Sequence, residues 1–124
     1  MVTATVRYGR QPGSCIMSLT ARGHAGYRHD GNDIVCASVS MVFQGLAEAA
    51  RQLVAERAAE EFFATGNVIA DDGAEISLRV KEAGETDARG RERVAYARAL
   101  FWQAQVSLTM LSEAYPEHVA LMVM

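Results

Sequence analysis

The sequence predicts an α+β fold, a two-layer sandwich in which two long helices cover one face of a mostly antiparallel sheet. Several short stretches alternate apolar and polar residues, which is typical of strands with one buried face. Two longer stretches carry apolar residues at helical spacing. Residues that favour turns separate these stretches, and the resulting order is β-β-α-β-β-α-β. With 124 residues and 50% hydrophobic content, the chain suits one domain over residues 1–124.

Composition gives no support to several classes of function. The formal net charge of −3 gives no electrostatic reason to expect a nucleic-acid partner. No signal peptide opens the chain, and no uninterrupted apolar run reaches the length of a membrane span. Two cysteines do not make a disulfide framework. We therefore expect a cytoplasmic chain with free thiols that does not bind a membrane.

The first two strands form a predicted hairpin. Met1 to Arg10 and Cys15 to Arg22 both alternate, and Gln11 to Ser14 supplies a turn with Pro and Gly. Cys15 belongs to the stripe that faces the core, so we expect it to be buried and inert.

A glycine-rich loop with two histidines follows the hairpin, from Gly23 to Asn32. A helix then opens at Asn32-Asp33, and Asp33 is the preferred N-cap. Cys36 therefore lies in the first helical turn. Unpaired amides and the positive end of the helix dipole favour a thiolate at that position, which raises its nucleophilicity at neutral pH.

His24 lies at the expected end of a strand, twelve positions before Cys36. A strand end and the start of the following helix can be close in space, so His24 is a candidate base for a Cys–His dyad. His29, in the middle of the loop beside Asp30, is the competing candidate, although solvent exposure explains its position better. A lone cysteine at a helix start is more often a small buried hydrophobe, and the pair carries more information than either member.

The remaining elements follow from the same patterns. We expect the first helix to run to at least Arg57, with a possible continuation through 58–64 and a stop at Gly66. A hairpin around Asp71-Asp72-Gly73 is expected to join strands at 67–70 and 74–81. A loop at 83–90, a second helix at about 91–114 and a last strand at 119–123 follow. Trp102, Met122 and Met124 are apolar residues that a single core does not need. Such residues often mark a subunit interface.

The motif residues resemble a known family. Gly23-His24-Ala25, followed by Gly31-x-Asp33-Ile34-Val35-Cys36-Ala37-x-Val39-Ser40, is similar to the motif of the ribosomal-processing cysteine proteases, Prp, also called the YsxB-like family. Every anchor is present, and Ser38 stands where alanine is common. The resemblance extends to chain length and element order.

The resemblance implies a cysteine endopeptidase that removes the N-terminal extension of a bacterial large-subunit ribosomal protein and forms a homodimer. It implies Cys36 as nucleophile and His24 as general base, and no cofactor or metal. Asp33 and Ser40 would support the site, and Ser40 lies four residues after Cys36 on the same helical face. The substrate loop would include Gly23, Ala25, Gly26 and Gly31. First-turn amides near Cys36 are candidate oxyanion donors.

Two other functions compete with this prediction. A non-enzymatic, ribosome-associated binding protein of the same fold would not need the intact pair of Cys36 and His24. A thiol redox or metal site is the third hypothesis, but the chain has no C-x-x-C and no ligand set with zinc spacing.

Overall fold

The computed structural model describes residues 1–26, 33–68, 71–81 and 88–124. Its elements follow the predicted order β-β-α-β-β-α-β. They are β1 (Val2–Gln11), β2 (Ser14–Arg22), α1 (Ile34–Ala55), β3 (Glu61–Gly66), β4 (Gly73–Lys81), α2 (Ala88–Ala114) and β5 (Val119–Val123).

The five strands form one sheet in the order β3-β4-β2-β1-β5. Three neighbouring pairs are antiparallel, and β5 alone runs parallel to its neighbour β1. The sheet is therefore mixed, and the prediction of a mostly antiparallel sheet is confirmed. The β1–β2 hairpin closes through Pro12-Gly13, with Gln11 paired to Ser14. Gly13 has a positive φ of 79°, a conformation that glycine adopts without steric cost.

One face of the sheet carries the core. Alternate residues of β1, β2 and β4 are buried, and they come into register across the three strands, as in Val6, Leu19 and Ile76. Cys15 belongs to this face and is fully buried, as predicted. Both helices pack against the sheet and against each other. Their buried residues include Val35, Val39, Phe43, Leu46, Ala97, Phe101, Ala104 and Leu108.

The first helix ends earlier than expected. The amides of Arg57 and Ala58 bond back to the carbonyls of Val54 and Leu53, which is the Schellman pattern of a helix C-terminus. Arg57 takes the left-handed conformation, with φ of 61°, at the position where glycine is usual. The expectation of a helix to at least Arg57 is therefore wrong by two residues, because the stop signal is a non-glycine residue.

Residues 61–66, most of which were expected as a possible continuation of the first helix, form a strand. β3 covers Glu61–Gly66 and pairs with β4 from Glu61↔Arg79 to Gly66↔Ala74. Helix continuation through 58–64 is wrong, and residues 67 and 68 of the strand expected at 67–70 are not in a strand; residues 69 and 70 lie outside the described residues. Phe62, Phe63 and Thr65 have high strand propensity, and pairing with β4 outweighs the helix formers around them. The expected loop 83–90 lies mostly outside the described ranges, and α2 begins at Ala88.

By length and composition, α1 is apolar enough to cross a membrane, with a mean hydropathy of 1.2 over its most apolar window. This is weak evidence, since the core helix of a globular domain passes the same test. In the structure, 39% of this window is buried, and the buried residues of α1 pack in the core.

Candidate active site

The N-terminus of α1 is built by Asp33. Its Oδ1 accepts hydrogen bonds from the amides of Val35 at 3.0 Å and Cys36 at 2.9 Å. Its backbone is extended, with φ −76° and ψ 96°, as an N-cap residue requires. The predicted N-cap is thus confirmed, and so is the position of Cys36 in the first helical turn.

The cap also uses the amides that surround Cys36. Besides the two bonds to the side chain of Asp33, the amide of Ala37 donates to the Asp33 carbonyl at 3.0 Å. Three consecutive first-turn donors, at residues 35, 36 and 37, are therefore occupied. That first-turn amides near Cys36 stabilise an oxyanion stays a prediction, and the amides of residues 35, 36 and 37 would have to leave these acceptors to bind one.

The sulfur of Cys36 has a hydrogen-bond donor from the preceding loop. The amide of Ala25 donates to Cys36 Sγ at 3.3 Å, and both residues are buried. An N–H group aimed at the sulfur fixes the position of the Cys36 side chain relative to the loop. The segment from Gly23 to Gly26 therefore contacts the sulfur directly.

His24 lies one residue before this donor, with its ring about half exposed. Its Nε2 is 3.4 Å from Oδ1 of Asp72, in the turn before β4. The carbonyl of the same Asp72 accepts a hydrogen bond from the amide of Gly23 at 2.9 Å. Within the part of the chain that the structure describes, His24 makes no hydrogen bond to Cys36. The fold brings the two predicted residues to the same loop–helix junction without joining them.

A third histidine contributes to this junction. Nδ1 of His118, just before β5, is 2.8 Å from the carbonyl oxygen of Ala25. Sequence analysis missed both His118 and Asp72. Asp72 has only a turn signal in the sequence, and His118 has no local motif at all, so no sequence pattern would have identified them.

Ser40 lies one helical turn beyond Cys36 and is buried. Its hydroxyl accepts a hydrogen bond from the side chain of Gln44 at 3.0 Å. It also lines a small pocket of about 80 Å³ between α1 and the β3–β4 hairpin, together with Phe43, Ala47, Val68 and Ile76. His29 and Gly31, which belong to the predicted loop, lie outside the described residues.

Cys15 and Cys36 are both free thiols. Among residues 1–26, 33–68, 71–81 and 88–124, no group of three His, Cys, Asp or Glu side chains could hold a metal ion. The chemistry that the described arrangement offers is that of a nucleophilic thiol with a histidine close by.

A thiol in the first turn of a helix, with a histidine at the adjoining strand end, defines a site of the cysteine hydrolase class. Comparison with known families gives the particular assignment. The model of the family "Cysteine protease Prp" matches residues 1–120, so the chain belongs to this family and is a cysteine protease. No curated protein sequence matches the chain.

Solved structures have the same fold. SMU.848 from Streptococcus mutans is 26% identical, with a TM-score of 0.60 over 100% of this chain and 94% of that one. An essential ribosomal processing protease Prp from S. aureus, in complex with a covalently linked product peptide, is 20% identical with a TM-score of 0.65. The S. aureus protease in complex with a substrate peptide is 21% identical with a TM-score of 0.59. Both S. aureus matches cover 100% of each chain.

Proposed function

We propose that this protease is an endopeptidase that removes the N-terminal extension of a bacterial large-subunit ribosomal protein, with Cys36 as nucleophile. The observation that carries the proposal is the hydrogen bond from the Ala25 amide to Cys36 Sγ at 3.3 Å, directly beside His24. The solved structures of a ribosomal processing protease with substrate and product peptides support the substrate class. Ribosome assembly would place the reaction in the cytoplasm.

The chemistry follows from the two side chains. The Cys36 thiolate attacks the scissile carbonyl carbon while His24 holds the proton taken from the thiol. The peptide C–N bond then breaks, and His24 donates the proton to the leaving amine. Water, deprotonated by His24, attacks the thioester carbonyl, and the C–S bond breaks to give the new carboxylate and free Cys36. Asp33 fixes the start of the helix, and Ser40 forms part of the pocket wall one turn away.

Access to the nucleophile requires movement of the substrate loop, which contains Gly23, Ala25, Gly26 and Gly31. Cys36 is only 6% exposed, and Ala25 packs against its sulfur. The segment therefore has to open for a substrate carbonyl to enter, and then return so that the Ala25 amide again points at the sulfur. We propose that closure of the loop over a bound peptide brings His24 to Cys36.

Hydrogen exchange across residues 23–32 tests the proposed loop closure. The Cys36→Ala protein is compared with and without a substrate peptide. Protection should rise when the peptide binds, because a segment with three glycines and few large apolar residues opens at low free energy in the free chain. Strong protection in the free protein that the peptide leaves unchanged would show a preformed site instead.

We also propose that the protein forms a homodimer. Trp102, Val106 and Met110 are exposed and lie four residues apart, so they share one side of α2. Met122 and Met124, on and beyond the edge strand β5, are also exposed. Such surfaces are usually covered in an assembly. Sedimentation analysis of Trp102→Glu should show a shift from dimer to monomer, and a wild-type monomer at micromolar concentration would exclude the dimer.

The test of function uses both cysteines. Cys36→Ala should abolish cleavage of the ribosomal precursor while the protein stays folded, because the nucleophile is lost. Cys15→Ala is the matched control: it should lower stability, since Cys15 is fully buried, and leave cleavage intact in the folded protein. Normal turnover by Cys36→Ala would refute the assignment. Mass spectrometry of the precursor before and after incubation measures the cleavage.

A further inference from the structure

Ala25 is held from two opposite sides by residues that are remote in sequence. Its amide donates to Cys36 Sγ on α1, and its carbonyl contacts Nδ1 of His118 at 2.8 Å. The residue itself is almost completely buried. Because a carbonyl oxygen only accepts hydrogen bonds, Nδ1 of His118 must be the donor.

The chain is held differently on the two sides of Ala25. Gly23 and Gly26 flank the short segment, and both have positive φ, at 83° and 68°. Gly23 is fixed, because its amide donates to the carbonyl of Asp72 and a Cβ there would collide with the carbonyl oxygen of Met1. At Gly26, a Cβ would meet no atom of the described residues within 4 Å. On this side, the orientation of the Ala25 carbonyl therefore depends on the hydrogen bond that it makes.

His118, in contrast, is firmly placed. Its amide donates to the carbonyl of Tyr115 at 2.9 Å, and its carbonyl accepts from the amide of Val2 at 2.9 Å. These bonds join the histidine to the turn after α2 and to the start of β1. A rigid backbone at residue 118 lets the ring hold the loop.

We propose that His118 is a positioning residue of the active site: its imidazole holds Ala25 so that the Ala25 amide points at Cys36 Sγ. This rests on the proposed role of Cys36 as nucleophile. Loss of the donor frees the Ala25 carbonyl, and the amide on the other side of the residue turns away from the sulfur. The thiolate then loses one hydrogen bond, and His24, one residue earlier, loses its anchored neighbour.

Two substitutions separate this role from a general effect on structure. His118→Asn places a side-chain N–H at the position of Nδ1, whereas His118→Gln places it at the position of Nε2. The Asn variant should keep most of the wild-type rate. The Gln variant should lose about five- to tenfold in kcat, the rate equivalent of one ordinary hydrogen bond, with little change in KM.

The second readout does not depend on proteolysis. Iodoacetamide labelling of Cys36 at neutral pH, followed by peptide mass spectrometry, should slow in the Gln variant by a similar factor and stay close to wild type in the Asn variant. Cys15 is fully buried and serves as the internal reference for unfolding. Glu117→Gln, at the exposed neighbouring position, is the matched surface control and should change neither rate.

Equal labelling rates for the folded Asn and Gln variants overturn the positioning role, whether both match the wild type or both fall. His118→Ala is not needed for the decision, because the two amide variants are compared with each other. If wild-type protein cleaves no ribosomal precursor but labelling still distinguishes Asn from Gln, the proposed substrate is wrong and the positioning role stands.

Discussion

The N-cap of α1 allows a quantitative test of how the fold supports Cys36. Asp33→Ala removes the acceptor of two hydrogen bonds, from the amides of Val35 and Cys36. Replacing such a cap by alanine costs about 1 kcal/mol, and up to about 2 kcal/mol in demanding cases. With an unfolding entropy of about 2.1 cal/mol/K per residue, a chain of 124 residues should lose about 4 °C in melting temperature per kcal/mol.

Asp33→Asn is the matched control. Asparagine caps a helix about as well as aspartate, so both hydrogen bonds can be kept. The substitution removes the favourable interaction of the carboxylate with the positive end of the helix dipole, worth about 0.3–1 kcal/mol. The Asn variant should therefore melt above the Ala variant and below the wild type.

Activity should report the local effect separately. A domain of ordinary stability, about 5–15 kcal/mol, stays almost completely folded at 25 °C after losing about 1 kcal/mol. Any loss of cleavage by Asp33→Ala at 25 °C thus reflects displacement of Cys36 rather than unfolding. We expect lower kcat for Ala than for Asn. Thermal unfolding by circular dichroism and peptide cleavage provide the measurements. An Ala variant with unchanged melting temperature and unchanged kcat would refute the reasoning.

Three further predictions concern single residues. His24→Ala should lower kcat by about 10² to 10⁴, the usual contribution of a general acid–base, and His29→Ala should have a much smaller effect; equal losses in the cleavage assay would contradict the choice of His24. Asp72→Ala should lower kcat by only about two- to fivefold, because an ion pair with a fully exposed carboxylate contributes little. Asp71→Ala, in the same turn, is the control that should have no effect. A hundredfold loss of kcat would show a direct chemical role for Asp72. Arg57→Gly should raise the free energy of unfolding, measured by urea titration, by about 0.5–1 kcal/mol, because glycine adopts the left-handed conformation of the helix end without steric cost. A lower stability would contradict the assigned conformation.

The features that were predicted correctly depend on local sequence. Strand alternation identified β1, β2 and β4, since one side of each stretch faces the core, and a short apolar stretch identified β5. The position of Cys36 in the first turn followed from the capping preference of Asp33, three residues earlier. These signals act over a few residues, so the sequence contains them in readable form.

The features that were missed depend on contacts across the fold. The end of α1 has a left-handed Arg57 in place of the expected glycine, and only the bonds to Val54 and Leu53 reveal it. β3 contains residues that suit either a helix or a strand, and pairing with β4 decides between them. Propensity cannot resolve a choice that a tertiary partner makes.

The surroundings of His24 illustrate the same limit at the active site. Strand register aligns Val2 with Val119, Thr3 with Arg22, and Arg22 with Gly73. The beginnings of β1, β4 and β5 and the end of β2 therefore meet at one end of the sheet.

The substrate loop leaves β2 at this end, between the turn that carries Asp72 and the segment that carries His118. Both contacts follow from strand order and from the parallel β1–β5 pair. A sequence motif specifies Cys36 and His24 because they lie on either side of one loop. The residues that hold this loop lie just before strands that only the completed sheet brings together.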